Sequence, residues 1–317
     1  MTTSVLVPGI ADAMVRVAEL AAIAASHEVG RGNEKQADQA AVDAMRTALN
    51  AVEMQGRIVI GEGERDEAPM LYIGEEVGTG SGPGIDIALD PLEGTTLTAK
   101  AMANALAVLA VAPRGGLLYA PDTYMDKIAV GEGYEPGVID LDASPSDNVK
   151  AIAKAKGVDP QQVTACVLDR PRHKAILDDL RALGCRVALI SDGDVAGVIN
   201  TTDKATGIDI YLGQGGAPEG VLAAAALKCI GGQMQSRLVF RNDDERERAS
   251  RTGITDFDRK YDLHEMASSE TVFVATGVTD GGLVDGVHFE NGHVHTHTLV
   301  MSSADGMVRK VRSRRNT

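Results

Sequence analysis

Residues 85–95, Ile-Asp-Ile-Ala-Leu-Asp-Pro-Leu-Glu-Gly-Thr, constrain the fold of this chain more than any other stretch. Ile85, Ile87 and Leu89 share one face of a strand by the two-residue period, with Asp86 on the other face. Pro91 has no N–H to donate and is expected to end the ladder. Asp90 and Glu93 are then left three residues apart around a tight turn, followed by the backbone N–H groups of Gly94 and Thr95. Two carboxylates beside free N–H donors suit a divalent cation with an anionic oxygen bound to it, magnesium on a phosphate before others.

Ahead of this stretch, the spacing of Ile10, Met14, Val17 and Ala21 predicts a helix over 8–28, stopped by Gly30 and Gly32. Ala41, Met45, Leu49 and Val52 predict a second helix over 36–53 with Asp38 in its first turn, a position the helix dipole alone would explain. Arg57 to Ile60 reads as a strand that runs into a second acidic loop, Gly61-Glu62-Gly63-Glu64. Strands are expected over 105–111 and 127–130, with a turn at 121–124. Residues 136–148 are rich in turn formers and suggest a boundary near 160. Beyond it strand and helix alternate: strands over 163–168, 186–190 and 208–212, and helices over 174–183, 195–200 and 221–230. Their polar or glycine loops lie at the strand ends, where α/β sheets bind ligands. Two more strands are expected, over 271–275 and 293–301. The chain therefore reads as α/β, with an N-terminal domain over 1–160 and a C-terminal domain over 161–317.

Composition narrows the partners. The 317 residues carry a formal net charge of −14, which argues against a nucleic-acid ligand. The one basic run, from Arg309 to Arg315, reads as a solvated, frayed terminus. Four Phe, six Tyr and no Trp against 35 glycines favour close helix-on-sheet packing over a large aromatic core. The apolar segment over 5–25 carries Asp12, Arg16 and Glu19, so it reads as an amphipathic helix rather than a signal peptide. No run of about 18 apolar residues exists to span a membrane. A cytoplasmic protein is expected, with Cys166, Cys185 and Cys229 as buried reduced thiols.

The strand-end loops divide by charge. Glu62, Glu64, Asp90, Glu93 and Glu219 form an acidic set, and Arg170, Arg172, His173 and Lys174 a basic one. Converging carboxylates repel one another without a cation, and an oxygen-only ligand set selects magnesium or manganese over zinc. Gly61-Glu62-Gly63 lacks the helix and third glycine of a dinucleotide fingerprint. No GxSxG elbow supports a serine nucleophile. His293, His295 and His297 alternate along one strand face and read as a polar strand edge rather than a transition-metal site.

Five segments occur in a telling order: Gly61-Glu62-Gly63-Glu64, Asp90-Pro91-Leu92-Glu93-Gly94-Thr95, Arg170-Pro171-Arg172-His173, Asp192-Gly193-Asp194 and Gly215-Gly216-Ala217-Pro218-Glu219-Gly220. From about Gly30 to Gly282 the chain resembles class II fructose-1,6-bisphosphatase, within the lithium-sensitive, metal-dependent sugar phosphatases. The resemblance implies a two-domain layered α-β-α-β-α sandwich and hydrolysis of a sugar bisphosphate by a metal-activated water. It implies Mg2+ or Mn2+ held by Asp38, Glu62, Asp90, Glu93 and Glu219. Thr95, hydrogen-bonded to Asp38, would position the water, with Glu62 a further catalytic group. Glu93, Gly94 and Thr95 would meet the scissile phosphate. Tyr124, Arg170, Pro171, Arg172, Asp192, Gly193, Asp194 and Gly216 would hold the sugar and the distal phosphate. Relatives commonly form dimers or tetramers. Where many relatives carry Gly-Arg-Gly-Asp-Lys, this chain has Gly30-Arg31-Gly32-Asn33-Glu34-Lys35, which leaves that loop's role open.

Fructose 1,6-bisphosphate is the substrate the resemblance implies, with sedoheptulose bisphosphate or an inositol phosphate as alternatives. A non-catalytic phosphosugar-binding regulator would be expected to have lost metal carboxylates, and all five positions here are acidic.

Overall fold

A computed structural model describes residues 8–63 and 70–317. In chain order the elements are α1 (Pro8–Ser26), α2 (Glu34–Leu49), β1 (Gln55–Ile60), β2 (Glu76–Val77), β3 (Gly84–Glu93), α3 (Thr95–Ala99), β4 (Leu106–Pro113) and β5 (Tyr124–Val130). They continue with α4 (Pro145–Lys156), β6 (Thr164–Leu168), α5 (Lys174–Leu183), β7 (Arg186–Ile190), α6 (Asp194–Ile199), β8 (Ile210–Gly216), α7 (Ala217–Ile230), β9 (Gln233–Val239) and α8 (Asp243–Arg251). The last are β10 (Lys260–Asp262), α9 (Leu263–Met266), β11 (Val272–Gly277), β12 (His288–Glu290), β13 (His293–Ser302) and β14 (Met307–Asn316).

These elements form two compact units, Met1–Tyr119 with Ala267–Thr317, and Ala120–Met266. The cut expected at 160 is replaced by crossings near 119 and 266. The physical reason is strand pairing: β5 pairs with β8 and β9, which draws residues 120–160 into the second unit. Conversely β11 returns to pair with β4, carrying Ala267–Thr317 into the first.

The first unit is built on an eight-stranded mixed sheet, ordered β12-β13-β11-β4-β3-β1-β2 with β14 on β13. Ile85, Ile87 and Leu89 face one apolar cluster with Met14 and Val17 of α1 and Met45 and Leu49 of α2, as their spacing requires. The opposite residue, Asp86, is fully buried, and its carboxylate accepts from Arg57, Arg114 and the N–H of Gly115. The basic tail is no frayed end: β14 pairs with β13 over ten positions, and Arg309, Arg312 and Arg315 bond Asp12, Asp285 and Glu19. Ladder hydrogen bonds and three carboxylate partners offset the cost of ordering it.

The second unit holds a six-stranded sheet, ordered β10-β9-β5-β8-β6-β7. The β6–β7 and β6–β8 pairs are parallel, as the strand–helix rhythm after residue 163 implies. Val149, Ile152, Leu177 and Leu180 bury α4 and α5 against Ile128, Val167 and Leu212. Ten of the fourteen residues of α7 are buried, and Ala-rich composition lets it pack closely against its neighbours.

Candidate active site

In the first unit a parallel strand pair positions Glu62, Asp90 and Glu93. β1 lies beside β3 with Ile60 opposite Ala88, so Glu62 and Asp90 leave adjacent strands at the same edge. Pro91 does not end β3. The strand runs on to Glu93, and between Asp90 and Glu93 its register on β4 shifts by one residue. That bulge absorbs the proline, which has no N–H to pair. The N–H of Leu92 donates to Asp90 Oδ1 at 2.9 Å, fixing the carboxylate in the turn. Glu93 is 3% exposed, a burial that a carboxylate tolerates only with a cation or donors around it. Gly94 then adopts φ 92° and opens α3; a Cβ there would stand 2.8 Å from Leu97 Cδ1. Glu64 lies outside the described residues.

The first helices differ from expectation in a way that touches this turn. Asn33 caps α2 by accepting from the N–H of Gln36 at 3.1 Å, which starts the helix at Glu34. The Gly30–Lys35 segment thus supplies a helix cap. Asp38 falls in the second turn rather than the first, which weakens the dipole explanation for it. Half-buried, its carboxyl is pushed above the usual carboxylate range by loss of water. The expected Asp38–Thr95 hydrogen bond is not made. The early start of α2 instead places Glu34 to accept from Thr96 Oγ1, at 2.9 Å.

In the second unit, Tyr124 opens β5 opposite Gly216 of β8 and Val239 of β9. Because β6, β7 and β8 are parallel, the Arg170–Arg172, Asp192–Asp194 and Gly216–Glu219 segments all emerge at that same end of the sheet. His173 ties two of them together. Its Nδ1–H donates to Leu168 O at 2.7 Å and its Nε2 accepts from the N–H of Gln214 at 2.8 Å. Accepting at Nε2 requires that nitrogen to carry no proton, so His173 acts as a tie between two strand ends rather than as a member of the basic set. Arg172 donates through Nε and Nη2 to Gln214 O, at 3.0 and 2.7 Å, and lies 5.0 Å from the Tyr124 ring centre. Arg170 stands 3.9 Å from Asp192, with Pro171 exposed between the arginines. Lys174 pairs with Asp178 one turn along α5.

Asp194, expected to receive sugar hydroxyls, is 6% exposed and ion-paired to Lys127. Lys127, itself 2% exposed, also donates to Gly216 O at 2.8 Å. It therefore joins the Gly193-Asp194 turn to the end of β8, from which α7 and Glu219 follow. Glu219 lies in the first turn of α7, and a Cβ at Gly216 would collide with its carboxylate. A larger residue there would displace the Glu219 carboxylate from its present place.

Other nucleophiles are poorly placed. The three cysteines are free and buried, and burial pushes the Cys166 thiol up to about 12. The histidines of β13 do not converge: the rings of His293 and His295 are 6.5 Å apart, and His297 Nδ1 accepts from the N–H of Asp285.

A family described as "Bacterial fructose-1,6-bisphosphatase, glpX-encoded" matches residues 9–315. The chain belongs to that family. Two relatives, from Prochlorococcus marinus strains NATL1A and MIT 9303, are 44% and 45% identical over 310 residues, covering 93% of this chain and 92% of theirs. Both are named D-fructose 1,6-bisphosphatase class 2/sedoheptulose 1,7-bisphosphatase. As a member of the bacterial fructose-1,6-bisphosphatase family, the chain is a phosphoric ester hydrolase. Its strand-end donors are carboxylates, the set a hard divalent cation takes. Lys127 and Arg241, both near the Tyr124 end of the second sheet, escape the sequence reading because each stands alone in sequence, outside any motif.

Proposed function

We propose that this chain hydrolyses fructose 1,6-bisphosphate to fructose 6-phosphate and phosphate, using Mg2+ or Mn2+. The observation that carries the reading is the parallel β1–β3 pair, which delivers Glu62 and the Asp90–Glu93 turn to one sheet edge, in a chain of this family. Asp90, Glu62 and Glu93 would hold the cations, with Glu219 and Asp38 completing the set. The ions supply Lewis acidity to the phosphoryl oxygens, the attacking water and the leaving alkoxide.

The remaining roles belong to this chain's own groups. The N–H groups of Gly94 and Thr95 bind phosphoryl oxygens, and the Thr95 hydroxyl orients the attacking water. Arg170 and Arg172 anchor the distal phosphate through planar forks that lysine lacks. Tyr124, Asp192, Gly193 and Gly216 line the sugar, and a homo-oligomer is the expected assembly.

Sedoheptulose 1,7-bisphosphate is a second substrate reading, favoured by the double name of the relatives. Phosphate release from each bisphosphate, with and without magnesium and then with lithium, separates the readings. We expect magnesium-dependent release from fructose 1,6-bisphosphate that lithium suppresses. Absence of release with magnesium or manganese present would overturn the assignment.

A further inference from the structure

Arg241 follows β9 at the Tyr124 end of the second sheet, two residues past Val239, the strand partner of Tyr124. Its guanidinium carbon lies 4.9 Å from the Tyr124 ring centre, as Arg172 lies 5.0 Å from the same ring. Two like charges beside one phenol need a reason, because the ring attracts each while they repel one another.

The two side chains are held in the same manner. Arg172 spends its Nε–Nη2 edge on Gln214 O. Arg241 spends the same edge on Glu245 Oε1, at 2.6 and 2.5 Å. Glu245 is 1% exposed, and its other oxygen accepts from the Arg241 N–H at 2.7 Å and from Thr123 Oγ1 at 3.0 Å. A buried carboxylate so satisfied fixes Arg241 against the strand that carries Tyr124. Among the described residues neither arginine's Nη1 has a hydrogen-bond partner, and both side chains are exposed. Each fork is thus oriented by the protein on one edge and left open on the other.

We propose that Arg241 is a substrate-binding residue that shares the distal phosphate with Arg172. This rests on the assignment of the Arg170–Arg172 loop to that phosphate. A tetrahedral dianion accepts from two forks at once, and it removes the repulsion between them. A single carboxylate or a sugar hydroxyl would leave one guanidinium unmatched. The pair then selects bisphosphates over monophosphates.

The test is steady-state hydrolysis of fructose 1,6-bisphosphate and of fructose 1-phosphate by Arg241→Gln, which keeps a donor for Glu245, with Arg172→Gln measured alongside. The expected result is a KM for the bisphosphate raised about tenfold or more. The kcat should change less than about twofold, and kinetics on the monophosphate should be unchanged. An unchanged KM in Arg241→Gln, with a raised one in Arg172→Gln, overturns the inference and leaves the loop assignment standing. Bisphosphate selectivity intact in both variants overturns the assignment as well. Equal losses on both substrates place Arg241 in the folding of the loop, and also overturn the inference. If Arg241→Gln shows no cooperative unfolding transition, Arg241→Lys on the same two substrates decides, with a rise in the bisphosphate KM alone expected.

Discussion

The acidic edge of the first unit and the cationic end of the second are built by different means. Asp90 and Glu93 are placed by backbone devices that lie within one eleven-residue stretch: a bulge at Pro91, the Leu92 N–H on Asp90, and a left-handed Gly94. Arg172 and Arg241 are placed by side chains and carbonyls instead: Gln214 O, 42 residues from Arg172 and held by His173, and Glu245, four residues beyond Arg241, with both arginines against the ring of distant Tyr124. A site held by its own backbone is written contiguously. A site held by a network is scattered, and its members are visible only after the chain has folded.

That contrast has consequences for where each region breaks. The largest structural effect falls on the second unit, at Lys127. Replacing it with Met leaves Asp194 a buried carboxylate without its counter-charge, with the Tyr211 hydroxyl 3.4 Å away, a loss of about 3–5 kcal/mol. Denaturant unfolding followed by a probe in residues 120–266 measures it, and a change below about 0.5 kcal/mol would show that the pair is not load-carrying in the folded state. The Asp86 cluster in the first unit is the counterpart, since there two arginines and one N–H share the carboxylate and no single partner is decisive.

A smaller effect is expected in the first unit, at His297. Burial first, and then the Arg312 charge, lower its affinity for a proton below the ordinary value near 6.5. The unfolded chain therefore binds that proton more tightly, so stability contributed by the neutral ring is present above 6.5 and is lost as pH falls through the lower folded value. Geometry agrees, because a protonated Nδ1 cannot accept from the Asp285 N–H. Replacement by Asn, which keeps an acceptor but does not titrate, should flatten the acid side of the stability profile of the metal-free protein. An identical slope in both proteins would assign it to other groups.

The sequence reading carries furthest where information is local. The apolar face of β3, the helices α1 and α5, strand β7 and the alternation after residue 163 all follow from periodicity. Pro91 misleads because a bulge accommodates what a regular ladder does not. The boundary misleads because turn-rich residues 136–148 lead into α4 inside the second unit, while β5 is committed to strands a hundred residues later. Arg309 to Arg315 reads as a tail only until its partners Asp12, Asp285 and Glu19, in distant segments, are brought alongside. In the site, the acids and the Arg170–Arg172 loop are legible as motifs. The ion pair that occupies Asp194 and the second arginine on Tyr124 are not, since no spacing links residue 127 to 194 or 124 to 241.

The central claim of this proposal is that the chemistry depends on the acidic edge of the first unit, while the arginines of the second recognise substrate. Phosphate release from fructose 1,6-bisphosphate by Asp90→Asn, at saturating magnesium and saturating substrate, tests it most directly. The account predicts release at background in a protein that unfolds as cooperatively as the parent. Turnover at the parent rate would contradict it.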